Sequence, residues 1–144
     1  MKKKVAIGGD HAGFQCKKIL IDHLLSQEIE IFDFGTSSKE STDYADYAHP
    51  LASAVEKGEY ETGILVCGSG NGVCMTANKH QGIRAALAWT EELAALARQH
   101  NNANIICIPG RFVSGDLAKK MADIFLKTGF EGGRHERRIN KISC

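Results

Sequence analysis

Residues 61–82, ETGILVCGSGNGVCMTANKHQG, hold an apolar run, a glycine loop and a helix start in one stretch. The run Ile64–Val66 is short enough for a buried strand. It ends in Cys67, and glycines follow at Gly68, Gly70 and Gly72. Such spacing lets the backbone approach a ligand and turn its N–H groups toward it. A helical pattern from about Val73 adds partial positive charge and unpaired donors. Cys67 is expected at the mouth of this nest, where a thiolate is favoured over the thiol and could act as catalytic base or nucleophile. The competing expectation is an inert buried thiol at a strand end.

Outward from this stretch, strand-like and helix-like segments alternate. Val5–Ile7 predicts a strand that runs into Gly8 and Gly9, and residues 14–25 carry helical spacing. Ile29–Phe34 is a second strand, closed by Gly35, and the polar residues 36–43 are a loop. Tyr44–Glu56 predicts a helix, with Pro50 acceptable if it lies in the first turn. Gly63–Val66, Ile83–Trp89 and Ile105–Ile108 are three further strands. They are separated by helices beginning at Gly72 and around Glu91, where Thr90 precedes two acids. A helix over 114–126 stops before Gly129, and Arg134–Ile142 can form a last short one. This order predicts an α/β fold: one Rossmann-like αβα sandwich over residues 1–144 with a five-stranded parallel sheet. In such a sheet ligands bind beyond the strand carboxyl ends. Those ends are the Gly8–Gly13, Gly35–Tyr44, Cys67–Gly72, Trp89–Thr90 and Pro109–Phe112 segments.

Length and composition exclude several classes. The chain has 144 residues and a formal net charge of +1, which argues against electrostatic attraction to nucleic acid or membrane. No apolar stretch is long enough for a membrane span, and the basic start MKKK lacks the apolar region of a signal peptide. The five cysteines (16, 67, 74, 107 and 144) are odd in number and form no CxxC pair. Neither a disulfide framework nor a zinc site is therefore expected, and a reducing cytoplasm is the simplest compartment. Cys16, Cys74 and Cys107 fall in helix or strand patterns and read as core.

Dinucleotide fingerprints fail in both glycine loops. Asp10 occupies the middle glycine position of the first, and Val73 the third position of the second. The loops instead suit a small anion. In the first, either Asp10 caps the helix at a tight turn, or Asp10 accepts a proton and His11 is a ligand contact. Arg134 and Arg138 lie four apart, so a helix places both on one face, where they could grip a phosphate. Spacing alone favours a solvated basic tail, and Arg137 lies off that line. His100 and Asn101 follow a helical segment and read, on their own, as a helix end.

Taken together the motifs resemble the type B ribose-5-phosphate isomerases, within a sugar-phosphate isomerase family that includes galactose-6-phosphate isomerase subunits. They are GGDHAGF (8–14), FGT with STDYADYA (34–48), ILVCGSGNG (64–72), ANKHQGIRAA (77–86), RQHNNAN (98–104), GR (110–111) and FEGGRHERR (130–138). The resemblance covers nearly the whole chain. It implies interconversion of ribose 5-phosphate and ribulose 5-phosphate in the pentose phosphate pathway, with no metal or organic cofactor. It implies Cys67 as the base that moves a proton between C2 and C1, and His100 as the proton donor in ring opening. Asp10, His11, Tyr44, Gly68, Ser69, Gly70, Asn71, Gly72, Asn101, Arg111, Arg134 and Arg138 would bind substrate. It also implies a homodimer or homotetramer with sites near the subunit interface. Some members carry a glutamate base just after the glycine loop. Val73 stands there, which places the chain with the cysteine-dependent branch. The alternatives are an allose or galactose 6-phosphate isomerase and a non-catalytic phosphate-binding module, for which Cys67 would be dispensable.

Overall fold

The computed structural model describes residues 3–144. Among them, five strands form a single parallel sheet in the order β2-β1-β3-β5-β4. The strands are β1 (Lys4–Gly9), β2 (Glu30–Asp33), β3 (Thr62–Cys67), β4 (Ala85–Leu87) and β5 (Ile105–Pro109). The helices are α1 (Phe14–Ser26), α2 (Ala45–Glu56), α3 (Asn71–Ala77), α4 (Glu91–Gln99), α5 (Gly115–Lys127) and α6 (Arg134–Ile139), with a 3₁₀ turn at His11–Gly13. The predicted parallel α/β sandwich is the observed one. No described helix is long and apolar enough to cross a membrane.

Period-two alternation divides the central strands between two cores. Ile64 and Val66 of β3, with Ile106 and Ile108 of β5, pack with Leu20 and Leu24 of α1, Ala94 of α4 and Met121 and Phe125 of α5. Leu65 and Cys67, with Ile105 and Cys107, face the other way, onto Leu51 and Val55 of α2 and Val73 and Ala77 of α3. This alternation, not a special motif, aims Cys67 toward α2 and α3.

Element ends differ from expectation in instructive ways. β4 is three residues where seven were expected. As an edge strand paired only to β5, it lacks a second neighbour to prolong it. α3 begins at Asn71, because Gly70 takes the left-handed conformation (φ 77°) that turns the chain into the helix. Gly8 and Gly9 belong to β1 itself. Pro50 is the sixth residue of α2, beyond the first turn, so the Asp46 carbonyl loses its usual N–H partner. Pro50 lies exposed, while Leu51, Ala52 and Val55 are buried and hold the helix to the sheet.

Burial pushes the Cys16 thiol up to about 11. The folded state keeps this proton to higher pH than the unfolded chain, whose thiol titrates near 9. The associated stability is whole below pH 9 and falls by up to about 3 kcal/mol as pH rises through 11. Buried Cys107 is raised too, and acts in the same direction. Urea midpoints between pH 8.5 and 11 should therefore fall less steeply in Cys16→Ala than in the parent. An unchanged slope would remove Cys16 from the account.

Candidate active site

β1 and β3 are neighbours whose crossovers leave in opposite directions, to β2 on one side and to β4 on the other. Such a switch point opens a crevice at the strand carboxyl ends. A cavity of about 340 Å³ lies there, lined by Asp10, His11, Ala12, Tyr44, Cys67, Gly68, Ser69, Gly72, Arg111 and Phe112. The two loops meet closely because neither Gly9 nor Gly13 has a side chain. A Cβ on either would stand 2.1 or 2.3 Å from the Val66 carbonyl oxygen.

Several polar groups in the cavity are held locally. Asp10 is buried, and its Oδ1 accepts from the N–H groups of Ala12 (3.0 Å) and Gly13 (3.1 Å). The capping role is thus realised, and the same side chain lines the cavity. His11 Nδ1 accepts from the Thr42 N–H at 3.1 Å, which fixes the ring and puts its proton on Nε2. The Tyr44 ring lies against Gly72, where a Cβ would stand 2.6 Å from it. Arg111 crosses Gly68, and its loop is tied to the end of β3. There the Gly110 N–H donates to the Cys67 carbonyl (2.8 Å) and the Arg111 N–H to that of Gly68 (3.1 Å).

Cys67 is 4 % exposed, and its Sγ accepts from the Gly70 N–H at 3.1 Å. That bond depends on the left-handed Gly70. A Cβ there would stand 2.5 Å from the Leu87 side chain. The Asn71 N–H donates to Ser69 Oγ at 3.2 Å. Two of the loop's donors are therefore committed within it. Sequence reasoning missed Ala12 and Phe112 as lining residues. Phe112 is 77 % exposed beside Arg111, and a large apolar side chain just past a strand end was the available signal.

His100, Asn101, Arg134 and Arg138 are not in this cavity. A crossover helix runs back against the strands, so α4 starts at their carboxyl ends and finishes at their amino ends. His100 caps that finish, its N–H donating to the Leu96 carbonyl at 2.9 Å. Asn104, four residues on, accepts from the Gly63 N–H at 2.9 Å, at the start of β3. Cys67 is four residues further along, about 13 Å at strand rise. α5 also returns to this edge, and the Glu131 N–H donates to the Gln99 carbonyl at 3.1 Å, which brings α6 with it. The proposed ligands thus form two groups in one chain, at opposite edges of the sheet.

The second group has its own order. The rings of His100 and His135 stack with centroids 4.2 Å apart and planes 10° from parallel. Glu131 Oε1 lies 3.9 Å from His100 Nε2 and 3.6 Å from His135 Nε2. The three side chains are close enough for a shared metal ion. Near-parallel rings, however, send their in-plane lone pairs side by side and not to one point. A larger cleft of about 770 Å³, near Lys3, Glu28 and Asp123, brings no reactive group to a common point. Its Asp123 is already paired with His23 and Gln27.

Known proteins match across the full chain. The structure of a ribose 5-phosphate isomerase from Thermotoga maritima superposes with a TM-score of 0.97 at 48% identity, covering 99% of both chains. The ribose-5-phosphate isomerase B of Mycoplasma genitalium with bound ribulose-5-phosphate gives 0.94 at 46% identity, over 99% of this chain and 95% of that one. Ribose-5-phosphate isomerase B of Escherichia coli strain K12 is 44% identical, over 99% of this chain and 95% of its own length. The Ribose/Galactose Isomerase family model matches residues 5–142. On this full-length agreement of sequence and fold, the chain belongs to the ribose/galactose isomerase family.

Proposed function

We propose that the chain is an aldose–ketose isomerase that interconverts ribose 5-phosphate and ribulose 5-phosphate, with Cys67 as the base. The observation that carries this reading is the placement of Cys67. Its sulfur accepts the Gly70 N–H in a cavity shared with Asp10, His11, Tyr44, Ser69 and Arg111. The Mycoplasma genitalium relative, with ribulose-5-phosphate bound, supports the substrate class.

The substrate enters as a furanose. Asp10 accepts the C1 hydroxyl proton while His100 donates one to the ring oxygen, and the C1–O4 bond opens to the aldehyde. The Cys67 thiolate then takes the weakly acidic C2 proton. Remaining backbone donors of the Gly68–Gly72 loop stabilise the enediolate. The C2 hydroxyl proton passes to the C1 oxygen, and return of the abstracted proton at C1 yields the ketose. Arg134 and Arg138 hold the phosphate and fix the reacting carbon against the sulfur.

His100 and Cys67 lie at opposite sheet edges, so this chemistry requires two copies. A two-fold arrangement sets the His100 edge of one copy against the Cys67 cavity of the other, and does so twice per dimer. An apolar patch supports a contact surface there. Leu87, Trp89, Pro109 and Phe112 adjoin Ser69 and Asn71, and Trp89 and Phe112 are exposed.

Purified protein incubated with ribose 5-phosphate should form ketose faster than with allose or galactose 6-phosphate. No turnover, or a preference for a hexose phosphate, would reject the substrate assignment. Co-expressed Cys67→Ser and His100→Ala chains should recover about a quarter of native activity. About half of random dimers then hold one intact site of two. No recovery would place each site within one chain.

A further inference from the structure

The His100 cluster contains a residue to which the mechanism above gives no task. His135 is 7 % exposed, whereas the His100 side chain is 41 % exposed. The buried ring is therefore the fixed member of the stacked pair and the exposed ring the one that reaches out. The segment that carries it is tied to the end of α4 and turned by a bond of its own. The Glu131 N–H bonds the Gln99 carbonyl at 3.1 Å, and the His135 N–H bonds the Gly132 carbonyl at 3.1 Å. Gly132 and Gly133, at φ 71° and 60°, make the turn that returns α6 onto the end of α4.

The chemistry of the pair is asymmetric as well. Burial, followed by the nearby positive groups His100 and Arg134, lowers the proton affinity of His135, against a smaller opposing pull from Glu131. His135 thus serves as a neutral plate beneath a ring that must carry a proton. A second cation at 4.2 Å would repel that proton. Glu131 Oε1 lies 3.9 Å from His100 Nε2 and 3.6 Å from His135 Nε2, beside both rings.

We propose that His135 is a positioning residue for His100: its buried ring sets the plane of the His100 imidazole, so that the proton is presented to the sugar ring oxygen at a fixed angle. The proposal rests on the reading of His100 as the ring-opening acid. It separates two roles within the RHERR segment. Arg134 and Arg138 hold the phosphate, and His135 between them holds the acid.

The test exploits the two directions of the reaction. Ribose 5-phosphate arrives cyclic, whereas ribulose 5-phosphate is open-chain because its C5 hydroxyl is esterified. Turnover of the aldose needs ring opening, and solvent-deuterium exchange into the ketose does not. In His135→Ala, kcat on ribose 5-phosphate should fall about tenfold or more, the scale of a misplaced catalytic group. KM and deuterium exchange should stay within about threefold of the parent. His135→Phe retains a flat neutral plate, so it should restore kcat to within about threefold of the parent while His135→Ala does not. His100→Ala, run in parallel, should lose aldose turnover selectively. If it loses both reactions equally, the reading of His100 fails. If it behaves as expected while His135→Ala keeps its kcat, the positioning role fails. A rise in KM alone in His135→Ala would overturn it too, by assigning His135 to the phosphate grip. Should His135→Ala not fold, His135→Phe still decides: a folded Phe variant with tenfold-reduced aldose kcat overturns the proposal.

Discussion

Cys67→Ser should retain the fold and the substrate and lose roughly 10²–10⁴-fold or more in turnover, the scale of a positioned general base. The substitution keeps the size of a side chain that is 4 % exposed and can keep the bond from the Gly70 N–H. What it removes is acidity, since a hydroxyl is far harder to ionise than a thiol. Substrate affinity should survive, because the proposed phosphate contacts lie on α6 and not on the glycine loop. Iodoacetamide should inactivate the parent, and bound sugar phosphate should slow that inactivation. The decisive measurement combines turnover, binding and solvent-proton exchange at C1 and C2 in Cys67→Ser. A variant that isomerises ribose 5-phosphate at near the parental rate would reduce Cys67 to a core thiol. The base would then have to be sought among Asp10, His11 and His100.

Arg134→Ala and Arg138→Ala should each raise the substrate dissociation constant by the loss of one charge-assisted phosphate bond, about 1.5–3 kcal/mol. That corresponds to roughly 10- to 150-fold. Arg134, Arg137 and Arg138 are all exposed on α6, so burial does not distinguish them. Helix geometry does: Arg138 lies about 40° around α6 from Arg134, whereas Arg137 lies about 60° to the other side and about 100° from Arg138. Arg137→Ala should therefore cost a small fraction of what the other two cost, measured by direct binding of ribose 5-phosphate to the Cys67→Ser background. Equal losses in all three variants would indicate a diffuse basic surface instead of a shaped grip. In a shared site these losses follow the partner chain. An Arg134→Ala chain should rescue a Cys67→Ser chain as a His100→Ala chain does.

The local features were legible because each rests on neighbours in the chain. The strand through Ile64–Val66, the glycine turn into α3 and the helix start after Thr90 follow from short-range spacing. Asp10 shows the limit of that reading. Spacing left capping and cavity lining as alternatives, and the structure gives one side chain both places. Lys17 lay outside the reading altogether. A lysine in a helical run reads as solvated, yet it is 1 % exposed, with Asp33 2.7 Å away.

The sequence alone determined the parallel α/β class, the glycine loops at the strand carboxyl ends and the residue types available for proton transfer and phosphate binding. Hydrophobic period, turn residues and caps act over a few positions, and a linear pattern records them. Tertiary structure alone decided that β5 inserts between β3 and β4, and that Gly9 and Gly13 close on the Val66 carbonyl. It also decided that His100 stacks on His135 at the far edge from Cys67. Each of these is a packing choice between segments distant in the chain. The direction of a crossover helix, rather than any motif, carries His100 away from the Cys67 cavity to the opposite edge of the sheet.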